Sequence, residues 1–439
     1  MVEALELAEK VFNRKTGIAN ALNKVKKYPD EPNLPHFVSV TCDLSPFTDG
    51  LAYATNGSGA SFDETKAKTK ALCEAIERYS QCIYKENEFT KTSYEKIKRK
   101  ALNPKAIVSF SEKQLKELKG GKFLVGFDEK TVFKWVNGFN LSSNKPTLIP
   151  AQLVYYNYKL KEEPAINIPL STGAALGCSF EETVCKGIYE IVERDAFMIS
   201  YLNMLPRERV NLEKIENEEI QKFVQIFKDY ELMMNVYDIT TDMLIYSFVC
   251  LILDNKLNFL SVGLKSSLNP IDGILGAIEE AYQTRSVGRR DMETVEKSRI
   301  EWLREHSEEI SSFFDRCVFW FGKEMMEKLD FWLKSKKEKD GNKLKNLSSG
   351  DWKKDLKFLL KVFSEKKMDV LYVDVTTHDV KELGFYVLKV IIPGMQPLHL
   401  KEKYKYLGGK RLYEVPYLLG YKKRIVREEE LNQLPHPFL

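Results

Sequence analysis

The chain has 439 residues, 44% of them hydrophobic and 30% charged, with 67 basic against 63 acidic side chains and a net charge of +4. That length allows one large core or two to three smaller ones. The weak positive balance excludes a polybasic footprint for nucleic acid as the main partner, and no apolar run approaches membrane-spanning length, while a phosphate-bearing small molecule stays compatible with it.

In chain order, residues 5–27 alternate charged and apolar side chains at helical spacing, which predicts an amphipathic helix interrupted near Thr16-Gly17. A Pro-rich connector runs from Tyr28 to His36, so residues 1–36 are expected to form an N-terminal helical segment and linker. Nothing there has the layout of a signal peptide. Strand-like runs lie at Phe37–Val40, Leu148–Tyr156, Met243–Leu253, Phe259–Val262, Val370–Val375 and Gly384–Ile392, with helical segments alternating between them. Residues 301–368 turn Lys-rich around Lys334–Lys343 and are expected to be a solvent-exposed helical insertion with a flexible break. The seven cysteines are odd in number and form no C-x-x-C pair, which reads as reduced, packed thiols in a cytoplasmic protein.

Three helical stretches repeat one arrangement: Lys70-Ala-Leu-Cys-Glu74-Ala-Ile-Glu77-Arg78, Lys186-Gly-Ile-Tyr-Glu190-Ile-Val-Glu193-Arg194, and Gly276-Ala-Ile-Glu-Glu280-Ala-Tyr-Gln283-Thr-Arg285. Residues three apart share a helix face, so Glu74 with Glu77 and Glu190 with Glu193 each aim two carboxylates at one region. Such pairs repel unless a cation sits between them, and hard oxygen ligands suit Mg²⁺. Upstream, Ser61-Phe-Asp-Glu64 and Ser179-Phe-Glu-Glu182 have capping-box spacing, each preceded by a small-residue turn, Asn56-Gly-Ser-Gly59 and Ser171-Thr-Gly173. Two capped copies of turn, cap and acidic helix argue against a merely solvated helix face. Common phosphate motifs are absent: there is no G-x-x-x-x-G-K-[ST] loop, and Gly263-Leu-Lys265-Ser-Ser is only a fragment of one. The five histidines are scattered without metal-ligand spacing to cysteine.

These stretches resemble the YcaO superfamily, which binds ATP and Mg²⁺ without a Walker loop through helices of the patterns S-x-x-x-E-x-x-E-R, Q-x-x-x-E-x-x-E-R and R-x-x-x-E-x-x-Q. The likeness continues through Ala54–Gly59, Ser171-Thr-Gly173, Val373–Thr376, Ile392-Pro-Gly394 and Leu407–Tyr413. It implies an α+β fold over residues 37–439, with mixed sheets and packed acidic helices forming a nucleotide site. Metal would be held by Glu74, Glu77, Glu190, Glu193 and Glu280, and nucleotide by those residues with Lys70, Arg78, Lys186, Arg194, Gln283 and Arg285. The family's leading Ser, Gln and Arg are replaced by Lys70, Lys186 and Gly276; each lysine either meets a phosphate or pairs with the glutamate one turn on.

The end of the chain, Leu434-Pro435-His436-Pro437-Phe438-Leu439, is similar to the proline-rich tail of azoline-forming members, which implies a catalytic role for Pro435, His436, Pro437 and Leu439. The implied reaction is ATP-dependent cyclodehydration of Cys, Ser or Thr to thiazoline or oxazoline in a ribosomally made peptide. It also implies a separate peptide-recognition partner resembling a ubiquitin-activating enzyme. A thioamide-forming enzyme with a TfuA-type helper, and an accessory protein that has lost turnover, are the alternatives. A homodimer stays open.

Overall fold

The computed structural model describes residues 6, 8–48, 53–118, 125–160 and 163–438. Its strands form three sheets. β1 (Ala19–Lys24), β2 (His36–Thr41) and β3 (Asn56–Ala60) make a small antiparallel sheet in that order. β4 (Thr90–Ser93), β5 (Val132–Asn140), β6 (Lys145–Pro150), β7 (Ala174–Gly177), β13 (Leu371–Asp374) and β14 (Tyr386–Ile391) build a second, in which β5, β13, β14 and β7 lie side by side. The third runs β11-β10-β9-β8-β12, from β8 (Glu208–Asn211), β9 (Met233–Asp238), β10 (Tyr246–Asp254), β11 (Phe259–Ser267) and β12 (Glu338–Asp340).

Each sheet carries one of the acidic helices. α1 (Glu64–Cys82) lies on β2 and β3, α2 (Phe180–Leu202) on β7 and β14, and α3 (Pro270–Thr294) on β10 and β11. The near-continuous apolar run of β10, Phe248 to Leu253, is the pattern of a strand covered on both faces, and all six residues are buried. α2 is the central helix. Its C-terminal half, from Ala196 to Leu202, sits in the largest core, while Val184 to Val192 pack against β14 and the helix Trp352–Glu365. The mixture of helices and sheets is the expected α+β class.

Three expectations change. The segment 19–24 is a strand: Ala19 to Lys24 pair with Phe37 to Thr41, so the chain before residue 37 is stitched into the first sheet. Cross-strand pairing outweighs the helical spacing there. The Lys-rich stretch 301–368 is not an appendage. Cys317 to Phe321 and Trp332 are buried in the main core, and Glu338–Asp340, inside the charged run, is β12, parallel to β8. The lysines face outward from a segment anchored by its aromatics. Finally, α1 is capped by Asp63, whose side chain accepts from the amides of Thr65 and Lys66, and Ser61 Oγ has no partner. α2 begins at Ser179 as expected, with Ser179 Oγ accepting from Glu182 N–H, but Glu182 reaches the amide of Cys178.

Candidate nucleotide and metal site

The three acidic helices converge on one cavity of about 510 Å³, whose wall includes Glu74, Glu77, Glu190, Glu193 and Glu280. The same local device holds one cavity glutamate of each helix. A backbone amide of the preceding strand or turn donates to it: Ser58 N–H to Glu74 at 2.6 Å, Gly173 N–H to Glu190 at 2.8 Å, and Leu264 N–H to Glu280 at 2.5 Å. Glu193 receives the amide of Ser266 at 2.9 Å, which ties α2 to β11. These bonds need close approach. A methyl group on Gly57 would lie 2.2 Å from the carbonyl oxygen of Ala71, and one on Gly263 2.2 Å from both Ala277 O and Ala281 N. Gly173 has a φ of +82°, a conformation that β-carbon residues rarely adopt.

Arginines close the outer side of the first two helices. Arg78 pairs with Glu74 and Arg194 with Glu190, both at 2.6 Å, while Arg78 also donates to Asn56 O and Arg194 to Thr172 Oγ1. Each arginine thereby fixes its glutamate to the turn before the helix. The inner carboxylates are in different surroundings. Burial and the charges of Glu190 and Glu74 push Glu77 up to about 8, and burial and Glu193 push Glu280 up to about 8. Glu193, 5% exposed, is raised by burial against the pull of Lys265. Burial and neighbouring carboxylates thus favour the protonated forms of Glu77 and Glu280, and a bound cation would reverse that preference.

Two lysines that sequence reasoning did not select face this cluster. Lys389 of β14 is 3% exposed, donates to Leu170 O at 2.7 Å, and is lowered to about 7 by burial despite Glu190 and Glu77. Lys265 stands in the cavity wall; burial lowers its pKa, but Glu193 and Glu280 outweigh that and raise it overall. A signal for Lys265 exists in the sequence. Gly57, Gly59, Lys70, Ala71, Glu74 and Ala75 are matched at constant spacing by Gly263, Lys265, Gly276, Ala277, Glu280 and Ala281. In the first copy the strand has glycine and the helix lysine. In the second they are exchanged, and the stem of Lys265 fills the space over Gly276.

The remaining selected residues are placed as follows. Arg78, Lys186, Arg194 and Gln283 line the cavity. Lys186 pairs with Glu182 at 2.7 Å, the glutamate one turn before it. Lys70 is outside the cavity wall and pairs with Glu279 of α3, so it bridges helices. Arg285 is 1% exposed and bound to Asp254 at 2.8 Å, also away from the cavity. Both face structural carboxylates in the positions observed. The tail is docked: Pro435, His436, Pro437 and Phe438 are buried, and His436 and Phe438 line the cavity. Tyr201 Oη–H and Trp320 Nε1–H donate to Pro435 O, and Arg316 donates to His436 O. Leu439 lies outside the described residues.

Five glutamates, Lys186, Lys265 and two arginines line one cavity, and this donor set fits a polyphosphate neutralised by divalent cations: the carboxylates suit the metal, and the basic side chains suit phosphate oxygens. Comparison with known proteins agrees with that donor set. Residues 56–396 match the family described as YcaO cyclodehydratase, ATP- and Mg²⁺-binding. An uncharacterised protein of Methanothermobacter thermautotrophicus is 27% identical over 357 residues, covering 79% of this chain and 83% of that protein. An uncharacterised protein in the tfuA 3′ region of Rhizobium leguminosarum bv. trifolii is 25% identical over 162 residues, 34% of this chain and 38% of that one. Among solved structures, a heterocyclase in complex with substrate and cofactor superposes with a TM-score of 0.81 at 23% identity over 99% of this chain. This chain spans only 57% of that heterocyclase's length. The YcaO of Methanopyrus kandleri bound with AMPPCP and Mg²⁺ has a TM-score of 0.64 at 15% identity, covering 90% of this chain and 89% of its own. No described helix is long and apolar enough to cross a membrane.

Proposed function

Because this chain belongs to the YcaO cyclodehydratase family, an ATP- and Mg²⁺-binding family, we propose that it uses ATP to activate a backbone amide of a peptide for cyclodehydration. The observation that carries this reading is the single cavity in which Glu74, Glu77, Glu190, Glu193 and Glu280 meet the buried tail residues His436 and Phe438. Nucleotide-holding and peptide-facing elements thereby share one wall. A Cys, Ser or Thr side chain attacks the preceding amide carbonyl, and the carbonyl oxygen is carried off as phosphate, leaving an azoline ring. Bound Mg²⁺ would supply neutralisation of phosphate charge.

The chain's own residues supply position. Glu74, Glu190 and Glu280 are locked by backbone amides of a strand or turn, so each presents its carboxylate from a fixed point. Arg194 and Lys265 stand beside them as donors for phosphate oxygens. Peptide recognition is assigned to a separate partner protein. The test is to incubate the chain with a partner and peptide encoded beside it, and to measure phosphate release against peptide mass. Loss of one water per phosphate is expected, and phosphate release or water loss should vanish in Glu193→Gln; ATP-independent water loss would overturn the reading. The likeness to a protein of a tfuA 3′ region favours a second reading, thioamide formation, which replaces oxygen by sulfur and makes the peptide heavier.

A further inference from the structure

Two imidazoles on the cavity wall stand apart from the residues assigned above to metal and nucleotide. His399 and His436 are 2% and 1% exposed, and their rings meet edge to face with centroids 4.8 Å apart. His399 Nε2 lies 3.1 Å from Glu402 Oε1, and His436 Nε2 lies 2.7 Å from the carbonyl oxygen of His399. Both partners are acceptors, so both Nε2 atoms carry the hydrogen, and each Nδ1 is left with a lone pair. Neither Nδ1 has a hydrogen-bond partner. A buried acceptor without a partner is uncommon, and two just behind the wall of one cavity, in residues that line it, point to a group that arrives with its own hydrogen.

His399, Glu402 and His436 are also close enough together to be considered as metal ligands. Their surroundings argue against a metal. Glu402 already faces the buried guanidinium of Arg316 at 2.6 Å and the ammonium of Lys405 at 3.0 Å, so a divalent ion would sit against two fixed cations. The same two cations with His399 hold Glu402 ionised despite its burial. Burial keeps His399 below its usual range although Glu402 pulls the other way; Arg316 and Lys405 add to the lowering.

We propose that His399 is the general base of the cyclodehydration, with Glu402 its positioning residue and His436 of the tail closing over it. This rests on the cyclodehydratase reading. The Sγ–H or Oγ–H proton passes to His399 Nδ1 as sulfur or oxygen bonds to the carbonyl carbon, and the C=O electron pair moves onto oxygen. That oxygen takes the γ-phosphoryl group of ATP as ADP departs; the C–O bond then breaks, C=N forms, and the leaving phosphate carries off the proton of the amide nitrogen. Glu402 offsets the positive charge that His399 acquires. Because both Nδ1 atoms are out of contact with solvent, the peptide meets His399 by shifting the edge-on ring of His436.

The test compares wild type with His399→Gln, which keeps a donor toward Glu402, on a Cys peptide and its Ser counterpart, using the full chain with its partner. A thiol ionises unaided near pH 8.5 and a hydroxyl does not. The variant should lose roughly 10²- to 10⁴-fold in kcat on both peptides at neutral pH, and recover on the Cys peptide alone in alkaline buffer. Affinity for Mg²⁺ with a non-hydrolysable ATP analogue should be unchanged. Full activity of the variant, equal loss on both peptides at every pH, or loss that tracks nucleotide affinity each overturns the proposal. So does stoichiometric Zn²⁺ binding by wild type that His399→Gln abolishes. A wild-type product carrying sulfur for oxygen overturns the cyclodehydratase reading itself, whereas water loss by wild type with an unimpaired variant overturns only the role of His399.

Discussion

Replacing Gly263 by Ala tests whether the amide-to-glutamate bonds are what assemble the cavity. The added methyl would stand 2.2 Å from both Ala277 O and Ala281 N, far inside the 3.4–4 Å of ordinary contact, and both are backbone atoms of α3 that cannot rotate away. α3 must retreat from β11. Overpacking of this kind costs about 1–3 kcal/mol, and the retreat also strains Leu264 N–H to Glu280, whose carboxyl, raised to about 8, is mostly neutral before metal binds, so that bond is worth about 0.5–1.5 kcal/mol. The sum is about 1.5–4.5 kcal/mol if both losses are realised in full, against a typical total stability of about 5–15 kcal/mol. Urea unfolding should show a lower midpoint with an unchanged slope, and calorimetry should show weakened Mg·ATP binding because Glu280 is no longer held. If Gly263→Ala binds nucleotide as wild type does and unfolds at the same urea concentration, the close strand–helix contact does not organise the site.

Lys70→Met should lower stability by about 1–3 kcal/mol in urea melts, since the buried Glu279 loses its closest cation, while Mg·ATP affinity stays unchanged; a clear loss of affinity would restore Lys70 to the phosphate. Glu280, raised to about 8 in the fold, contributes stability that is complete below its unfolded value near 4.5 and is lost as pH rises through 8. Ligand-free Glu280→Gln should therefore melt close to wild type at acid pH and progressively above it toward pH 9, and parallel melting curves would contradict the assignment. Deleting the chain from Pro435 onward should lower thermal stability as well as turnover, because Arg316 and Trp320 lose buried acceptors; an unchanged Tm would mean the docked tail is only loosely held.

The acidic helices were legible because carboxylates at i and i+3 inside an apolar pattern survive as a signal without any tertiary knowledge. Their convergence was legible only through the resemblance, since nothing local brings residue 74 to residue 280. Lys265 and Lys389 escaped because both lie on strands, where one lysine in an apolar run has no periodic partner to mark it. Arg316 was hidden in a stretch judged by its lysines, although the run Cys317-Val-Phe-Trp-Phe321 beside it is too apolar for an exposed insertion. Lys70 and Arg285 were placed on the right helices, but the faces they take are decided by Glu279 and Asp254, contributions from distant chain. The segment 19–24 was misjudged because its alanines and asparagines favour neither period strongly, and pairing with β2 decided it.

The exchanged glycine and lysine of the two matched strand–helix contacts have a mechanical consequence. Each contact has room for a single long side chain, and the two supply it from opposite partners. In the first copy the lysine belongs to the helix and clamps α1 to α3 through Glu279; in the second it belongs to the strand and faces the cavity carboxylates. One contact serves as a brace and the other presents a group to the cavity. The two are mechanically coupled, because Glu279, which receives the brace, is the immediate neighbour of Glu280, so a shift of either contact displaces both.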